Sequence, residues 1–367
     1  MALRDPASKR GGQMGNQRER SMHTQTQAAT QAATQAATQA AAPVTDPAAW
    51  RSTDFAGPSS WERRWSAAML AEIRAAVDRV RHMAPEAITR EDFPLEESKP
   101  LLEGVSAELD QGVGFAVIAG FPIEAYERED AVRAFCGVAA YLGDVVDQTS
   151  KRERVIDVTD RGKPYDGNSR GYHSNKMLPF HSDGAYLVGL LCLETAHQGG
   201  ESLLASSLSA YNEVLRRYPE RMAPLLRGFI HDRRGDHAPG ELPVSPERIP
   251  VFSFHNGLLH CCYNRNGIVW AQDKTGEKLS DAEIEALDAI DEIVRDPQFH
   301  VRMDMKKGDM QFVNNFVIMH SRTEYMDHAH DRNRHLVRLW LDSPQGRRRG
   351  PTLLDLYTSS ERRFKKY

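Results

Sequence analysis

Cysteine is scarce in this chain: Cys136, Cys192, Cys261 and Cys262 are its only four. None falls at metal-ligand spacing and two are adjacent, which excludes a disulfide framework and a zinc knuckle. A reducing cytoplasm is the expected setting. No stretch approaches the ~18 apolar residues of a membrane-spanning helix, and the start "MALRDPASKRGG" has no apolar leader, so a soluble, non-exported protein is expected. Charge of one sign is lacking as well. Lys and Arg number 47 against 51 Asp and Glu, a formal net charge of -4, with the signs mixed along most of the chain. That balance offers no basic face to nucleic acid and no membrane-binding face. The expected partner is a small molecule, and homo-oligomer formation is left open. A Gly-rich phosphate loop and a βαβ alternation are also missing, which argues against a doubly wound nucleotide-binding fold.

What is present is enough apolar residue, 40%, for a sizeable core. Residues 1–45 stand apart from it. They contain "TQAATQAATQAATQAA" (Thr26–Ala41), which has almost nothing to bury, so a disordered low-complexity tail is expected ahead of a single domain over 46–367. "WERRWSAAMLAEIRAAVDRVRHM" (61–83) puts Trp65, Met69, Ile73, Val77 and Val80 at helical spacing. "GVGFAVIAGFPI" (112–123) and "YLVGLLCLE" (186–194) read as buried strands, and 130–143 and 208–226 as helices. Ser280 with Glu283 forms a capping-box pattern that opens a further helix. The last third alternates strands and turns: "QFHVRMDM", "KKGD", "MQFVNNFVIMH" and "RHLVRLWLD". Strands dominate and helices decorate them, which predicts a mainly β fold with helical insertions, a barrel or jelly roll.

In "LPFHSDGAYLVGLL" (178–191), His181 and Asp183 are two apart and would project from one face of a strand. The chain has 14 histidines, so one such pair is expected by chance and decides nothing alone. His320, at the end of "GDMQFVNNFVIMH", is the candidate third ligand, carried to a sheet rim by a strand rising from the Gly308-Asp309 turn. Two imidazoles and one carboxylate on one side of an ion suit Fe(II) oxygen chemistry, and zinc would accept them too. In "RHLVRLWL" (334–341), Arg334, Leu336, Arg338 and Trp340 share one strand face. Two inward guanidinium groups among apolar neighbours need an anion, supplied either by a ligand or by internal Asp or Glu.

His181-Ser182-Asp183, "GGES" (199–202), "GDMQFVNNFVIMHSR" (308–322) and "RHLVRLWL" together resemble, in order and spacing, the TauD/TfdA-like family of Fe(II)- and 2-oxoglutarate-dependent dioxygenases, over roughly residues 100–342. The resemblance implies a double-stranded β-helix, or jelly roll. It implies that His181, Asp183 and His320 are the catalytic metal ligands and that Arg334 and Ser202 hold the distal carboxylate of 2-oxoglutarate. Arg338 matches a second family arginine, nearer the reacting centre, that can meet an anionic substrate. The implied cofactors are Fe(II), 2-oxoglutarate and O2, with release of succinate and CO2 and, by default, hydroxylation of a substrate C–H bond. Since Asp183 fills the position that halogenating relatives leave open, halogenation is not expected. Tyr172, His173 and Asn175, in the polar stretch "YDGNSRGYHSNKM" (165–177), are further substrate candidates beside Arg338. The expected substrate is a small acidic or amino-acid-like metabolite. Two other readings stay open here: a zinc or manganese hydrolase or isomerase with the same three ligands, and a non-catalytic iron- and 2-oxoglutarate-binding sensor. His260 beside Cys261 and Cys262 reads as packed strand, and His328 and His330 as solvated loop.

Overall fold

The structure, a computed structural model, describes residues 42–163, 165–166, 170–237, 239–329, 333–343, 346 and 350–357. The Thr26–Ala41 repeat, residues 167–169 and His330 lie outside them. Two sheets carry the site. Their strands are β1 (Glu62–Arg64), β2 (Phe115–Ala119), β3 (Asp144–Val145), β4 (Val155–Val158), β5 (Leu178–His181), β6 (Leu187–Glu194), β7 (Ser202–Ser206), β8 (His300–Met303), β9 (Met310–Asn314), β10 (Ile318–Arg322) and β11 (His335–Asp342). The seven-stranded sheet runs β1-β2-β9-β6-β11-β3, with β4 also pairing β11; the four-stranded sheet runs β8-β7-β10-β5. Apart from the parallel β1–β2 pair, every ladder in them is antiparallel. This is the double-stranded β-helix, or jelly roll, anticipated above.

Strands β2 and β9 are buried along their whole length; β2 accordingly reads as an unbroken apolar run, while β9 carries the buried polar residues Gln311 and Asn314. Phe115, Phe312 and Val337 from the large sheet join Leu204, Ile318 and Met319 from the small one in one core. Helices close its outside. The segment 61–83 divides: Glu62–Arg64 pairs with β2, and the helix begins at Ala67, where the Ser66 hydroxyl accepts the Met69 N–H at 3.2 Å. The segment 208–226 divides too, at Pro219, whose ring cannot continue the helix Ser207–Arg217. Ser280 and Glu283 make both bonds of the capping box. A helix at Arg265–Thr275, capped by Asn264, has no counterpart in the sequence reading. None of the described helices is long and apolar enough to cross a membrane.

One difference from the sequence reading positions the site. Residues 310–320 are not one strand. The chain leaves the large sheet at Asn314 and enters the small sheet at Ile318. Two asparagines build that switch. Asn314 donates to Leu109 O at 3.0 Å and accepts from the Phe316 N–H at 3.0 Å. Asn315 donates to Ala185 O at 2.9 Å and accepts from the Asp183 N–H at 3.0 Å. Short polar side chains satisfy a backbone that has left one ladder before joining the next. Gly308 prepares the turn into β9: at φ 82° a Cβ there would lie 1.8 Å from Phe121 O.

Candidate metal centre

His181 ends β5 and His320 lies on β10, directly opposite it in the antiparallel register. Their rings are 4.4 Å apart between centroids. On the β5 side the register shifts by one residue between Leu178 and His181, a bulge of the kind that re-aims side chains at sheet rims. Asp183, two residues past His181, completes a group whose donor atoms all lie within 4.8 Å of one another. His181 Nε2 is 3.9 Å from Asp183 Oδ1, and His320 Nε2 is 3.8 Å from Asp183 Oδ2. His181 Nδ1 is 2.8 Å from Pro179 O; only an Nδ1–H makes that bond, which leaves Nε2 as a lone-pair donor facing the carboxylate.

Burial lowers the pKa of both imidazoles, that of His320 to about 3, so each is neutral at ordinary pH. Burial alone would raise the Asp183 carboxyl. Arg338, the two histidines and the Trp340 N–H outweigh it and hold the group well below the usual carboxylate range. Arg338 Nη1 is 3.3 Å and Trp340 Nε1 3.0 Å from Asp183 Oδ2. Two neutral imidazoles and one ionised carboxylate form the donor set that a divalent iron takes.

Two cavities meet at this group. The first runs between the sheets and is bordered by Ser202, Gln311, Arg322, Arg334 and Leu336. Arg334 donates through Nη2 to Gly200 O at 3.1 Å, while its buried Nη1 has no partner among the described residues. Gly200 is required there: at φ 76° a Cβ would sit 2.7 Å from Arg334 Nε. Arg322 is a functional candidate that the sequence reading passed over. It is buried, its Nη2 donates to Ser174 O at 2.8 Å and to Lys176 O, and its Nε and Nη1 are unpartnered among the described residues. Both guanidinium groups lie over the Tyr325 ring, at 4.7 and 5.2 Å. Burial and the neighbouring Arg334 lower the Arg322 pKa to about 10. The available signal was its position, two residues past His320 and therefore on the same strand face. Ser202 Oγ is buried and donates to Gln311 Oε1 at 3.1 Å.

The second cavity shares Tyr172, Leu178, His181, Asp183 and Arg338 with the first and adds Tyr165, Arg170, Arg234, Asn264 and Trp340. Arg338 is fixed by Nε to Gln148 Oε1 at 2.8 Å and lies 4.8 Å from the Tyr172 ring centroid. His173 and Asn175 border neither cavity: the His173 ring packs edge-on against Tyr172 at 4.5 Å, and the Asn175 carbonyl accepts the Tyr325 N–H at 3.1 Å. His260 is stacked between His255 and Phe316 and buried beside Cys261, as packed strand residues are. His328 packs against His197 at 5.4 Å.

Comparison with known proteins bears on the family and the fold. The family described as taurine catabolism dioxygenase TauD, TfdA family, matches residues 79–340. FR-33289 synthase of Streptomyces rubellomurinus is 34% identical over 313 residues, 83% of this chain and 92% of the relative. The taurine hydroxylase-like protein SAT17 of Stachybotrys chartarum is 28% identical over 312 residues, 81% and 79% of the two chains. Among solved structures, asparagine oxygenase in complex with Fe(II), 2S,3S-3-hydroxyasparagine and succinate superposes with a TM-score of 0.60 at 16% identity, over 77% of this chain and 93% of that one. The hydrolase and sensor readings have no such support, and the chain belongs to the TauD/TfdA family of Fe(II)- and 2-oxoglutarate-dependent dioxygenases.

Proposed function

We propose that this enzyme hydroxylates a C–H bond of a small, acidic or amino-acid-like metabolite in the cytoplasm, with His181, Asp183 and His320 as its iron ligands. One atom of O2 would enter the substrate and the other the succinate formed, with CO2, from 2-oxoglutarate. The iron, when bound, supplies the activation of oxygen that the protein's own groups cannot. What the chain supplies is placement. Arg334 and Arg322 are both buried, border one cavity and have N–H groups without partners among the described residues, and Ser202 lies on the cavity wall. A dicarboxylate cosubstrate would give these cations the anion that no described acid provides, with Arg334 gripping the 5-carboxylate. Val188, Leu190, Val313 and Leu336 border the same cavity and would keep water from it.

Arg338 and Trp340 both bond Asp183, so they keep one carboxylate oxygen oriented while the histidines remain neutral donors. Arg338 also borders the second cavity, where it can meet an acidic substrate group. The observation that carries the proposal is the coexistence, in one cavity, of the His-Asp-His group at one part of the wall and two uncompensated guanidinium groups at another. The test is anaerobic. Protein loaded with Fe(II) is expected to develop a weak visible charge-transfer band on addition of 2-oxoglutarate and to release succinate in air with a turnover substrate. Absence of the band from iron-loaded protein would remove the proposal.

A further inference from the structure

Successive backbone carbonyls just ahead of β5 are held by groups outside their own segment. The His173 carbonyl accepts the Arg161 N–H at 3.0 Å, and the Asn175 carbonyl accepts the Tyr325 N–H at 3.1 Å. The carbonyls that alternate with these, of Ser174 and Lys176, both accept from Arg322 Nη2. Farther on, Ser321 Oγ donates to Leu178 O at 2.7 Å. The stretch 174–178 thus hangs on the end of β10 and the residues after it, and its bonds at Ser174 and Lys176 come from a side chain and not from a ladder. Its backbone position depends on the direction in which one guanidinium points.

The residues that flank this stretch are ones the two cavities share. Tyr172, on the single turn Gly171–His173, and Leu178, at the start of β5, border both. Tyr172 lies against Arg338, with 4.8 Å from the guanidinium carbon to the ring centroid, and packs on the small cluster of Val158, Cys192, Met305 and Leu336. A displacement of 174–176 would therefore move side chains on the wall between the iron ligands and the second cavity.

Arg322 itself is only half satisfied. Of the five N–H groups of a guanidinium, the two on Nη2 are used on carbonyls, and those on Nε and Nη1 have no partner among the described residues. It borders the first cavity, it shares the Tyr325 ring with Arg334, and Arg334 repels it. A carboxylate at this end of the cavity would turn that repulsion into charge-assisted contacts with both cations. Because a guanidinium is planar, an anion on its free N–H groups also fixes the plane in which Nη2 meets the two carbonyls. Ser321, which likewise joins the segment to β10 and borders the cavity, cannot act this way, since its one O–H is already on Leu178 O.

We infer that Arg322 is a positioning residue that links the cosubstrate to the substrate cavity: with the 5-carboxylate of 2-oxoglutarate on its free N–H groups, its Nη2 holds Ser174 and Lys176 and so sets Tyr172 and Leu178 on the shared wall. The inference rests on the proposed dioxygenase reading and adds that 2-oxoglutarate prepares the wall the substrate meets. The measurement is hydrogen–deuterium exchange of peptides within residues 171–178, in anaerobic protein loaded with Fe(II). The amides of His173, Ser174 and Lys176 report on the segment directly, being bonded to Arg170 O, Gly171 O and Ser174 Oγ. Saturating 2-oxoglutarate is expected to slow their exchange about tenfold, and by reciprocity opening of the segment weakens cosubstrate binding by the same factor. Pyruvate has the 2-oxo and 1-carboxylate groups but no distal carboxylate, so at concentrations that develop its own band it should leave the exchange unchanged. Arg322→Met should exchange faster over 171–178, lose the response to 2-oxoglutarate and need about tenfold more of it to saturate the charge-transfer band. Arg322→Lys keeps the charge but cannot serve two carbonyls and a carboxylate in one plane, so it should lose the response too, and it carries the test if Arg322→Met does not fold. An intact band overturns the inference, and leaves the dioxygenase reading standing, if the parent's exchange ignores 2-oxoglutarate, if pyruvate slows it equally, or if the variants respond and saturate like the parent. A missing band would count against that reading instead.

Discussion

Arg334 tests the cosubstrate assignment more sharply than any metal ligand does. Truncating it would leave a partly desolvated carboxylate without its charge-assisted partner, a loss of about 2–5 kcal/mol. Arg334→Ala is therefore expected to raise the apparent 2-oxoglutarate constant roughly tens- to thousands-fold, with iron affinity little changed. Arg334→Lys should recover only part, because an ammonium keeps charge but not the planar fork. Saturation by 2-oxoglutarate equal to that of the parent would make Arg334 a structural cation and shift the role to Arg322. Asp183→Ala should abolish turnover while the protein stays folded, since the side chain is bonded to Arg338 and Trp340 at the cavity wall and not packed in the apolar core. Turnover by the iron-loaded variant would exclude the carboxylate from the site. That His181, Asp183 and His320 converge, and that Arg334 borders the same cavity, was legible in their residue types and strand spacing, while the roles given to them belong to the proposal. Arg322 was not singled out, because a lone arginine after a histidine gains meaning only once Arg334 and Tyr325 stand beside it. Arg170 and Arg234 were illegible for the same reason: 64 positions apart, they come together in the cavity that both border.

Between strands, the switch at Asn314 and Asn315 carries the site. Asn315 joins the turn to the Asp183 backbone on one side and to Ala185 on the other, and all three groups are buried or nearly so. Asn315→Ala would leave a buried N–H and a buried carbonyl unpaired, a cost of about 1–3 kcal/mol each where water cannot enter. The expected outcome is a lower denaturation midpoint together with weaker Fe(II) binding, because Asp183 loses its backbone anchor. Reduced stability with iron affinity intact would separate the switch from the metal centre. The sequence reading placed the strands on both sides but merged them, since "MQFVNNFVIMH" is apolar on each side of the asparagines and a strand that changes sheets keeps the same residue types. The helix Arg265–Thr275 escaped for the opposite reason. Its exposed and buried positions are mixed, and its start depends on the Asn264 side chain accepting the Gly267 N–H. The helix after Ser280 was legible because its capping box is written into adjacent residues.

For the molecule as a whole, Val44 is tied to the domain ahead of the first helix: it exchanges two hydrogen bonds with Asn212, at 2.8 and 2.9 Å. Removing residues 1–41 is accordingly expected to leave the melting temperature and turnover nearly unchanged, whereas removing 1–44 should cost stability by breaking that pair. Acid stability tests a buried group that is not among the assigned metal ligands. His231 is fully buried, and neither ring nitrogen has a partner among the described residues. Burial, aided by the nearby Arg234, lowers its pKa to about 3. Above pH 6.5 the ring is neutral in both folded and unfolded chains and contributes no pH dependence. Below it the unfolded chain takes up a proton that the native state refuses, so stability falls as pH falls, by about 1.4 kcal/mol per unit, or roughly 2 kcal/mol by pH 5. Glu213 and Asp157, both lowered to about 2 by their arginine and histidine partners, lose stability in the same direction, but only at still lower pH. The window from pH 6.5 to 5 therefore reports buried histidine. Denaturant unfolding of metal-free protein, parent against His231→Gln, should give a shallower slope for the variant whatever its absolute stability. Parallel slopes would mean that the native protein accommodates a charged imidazole at position 231.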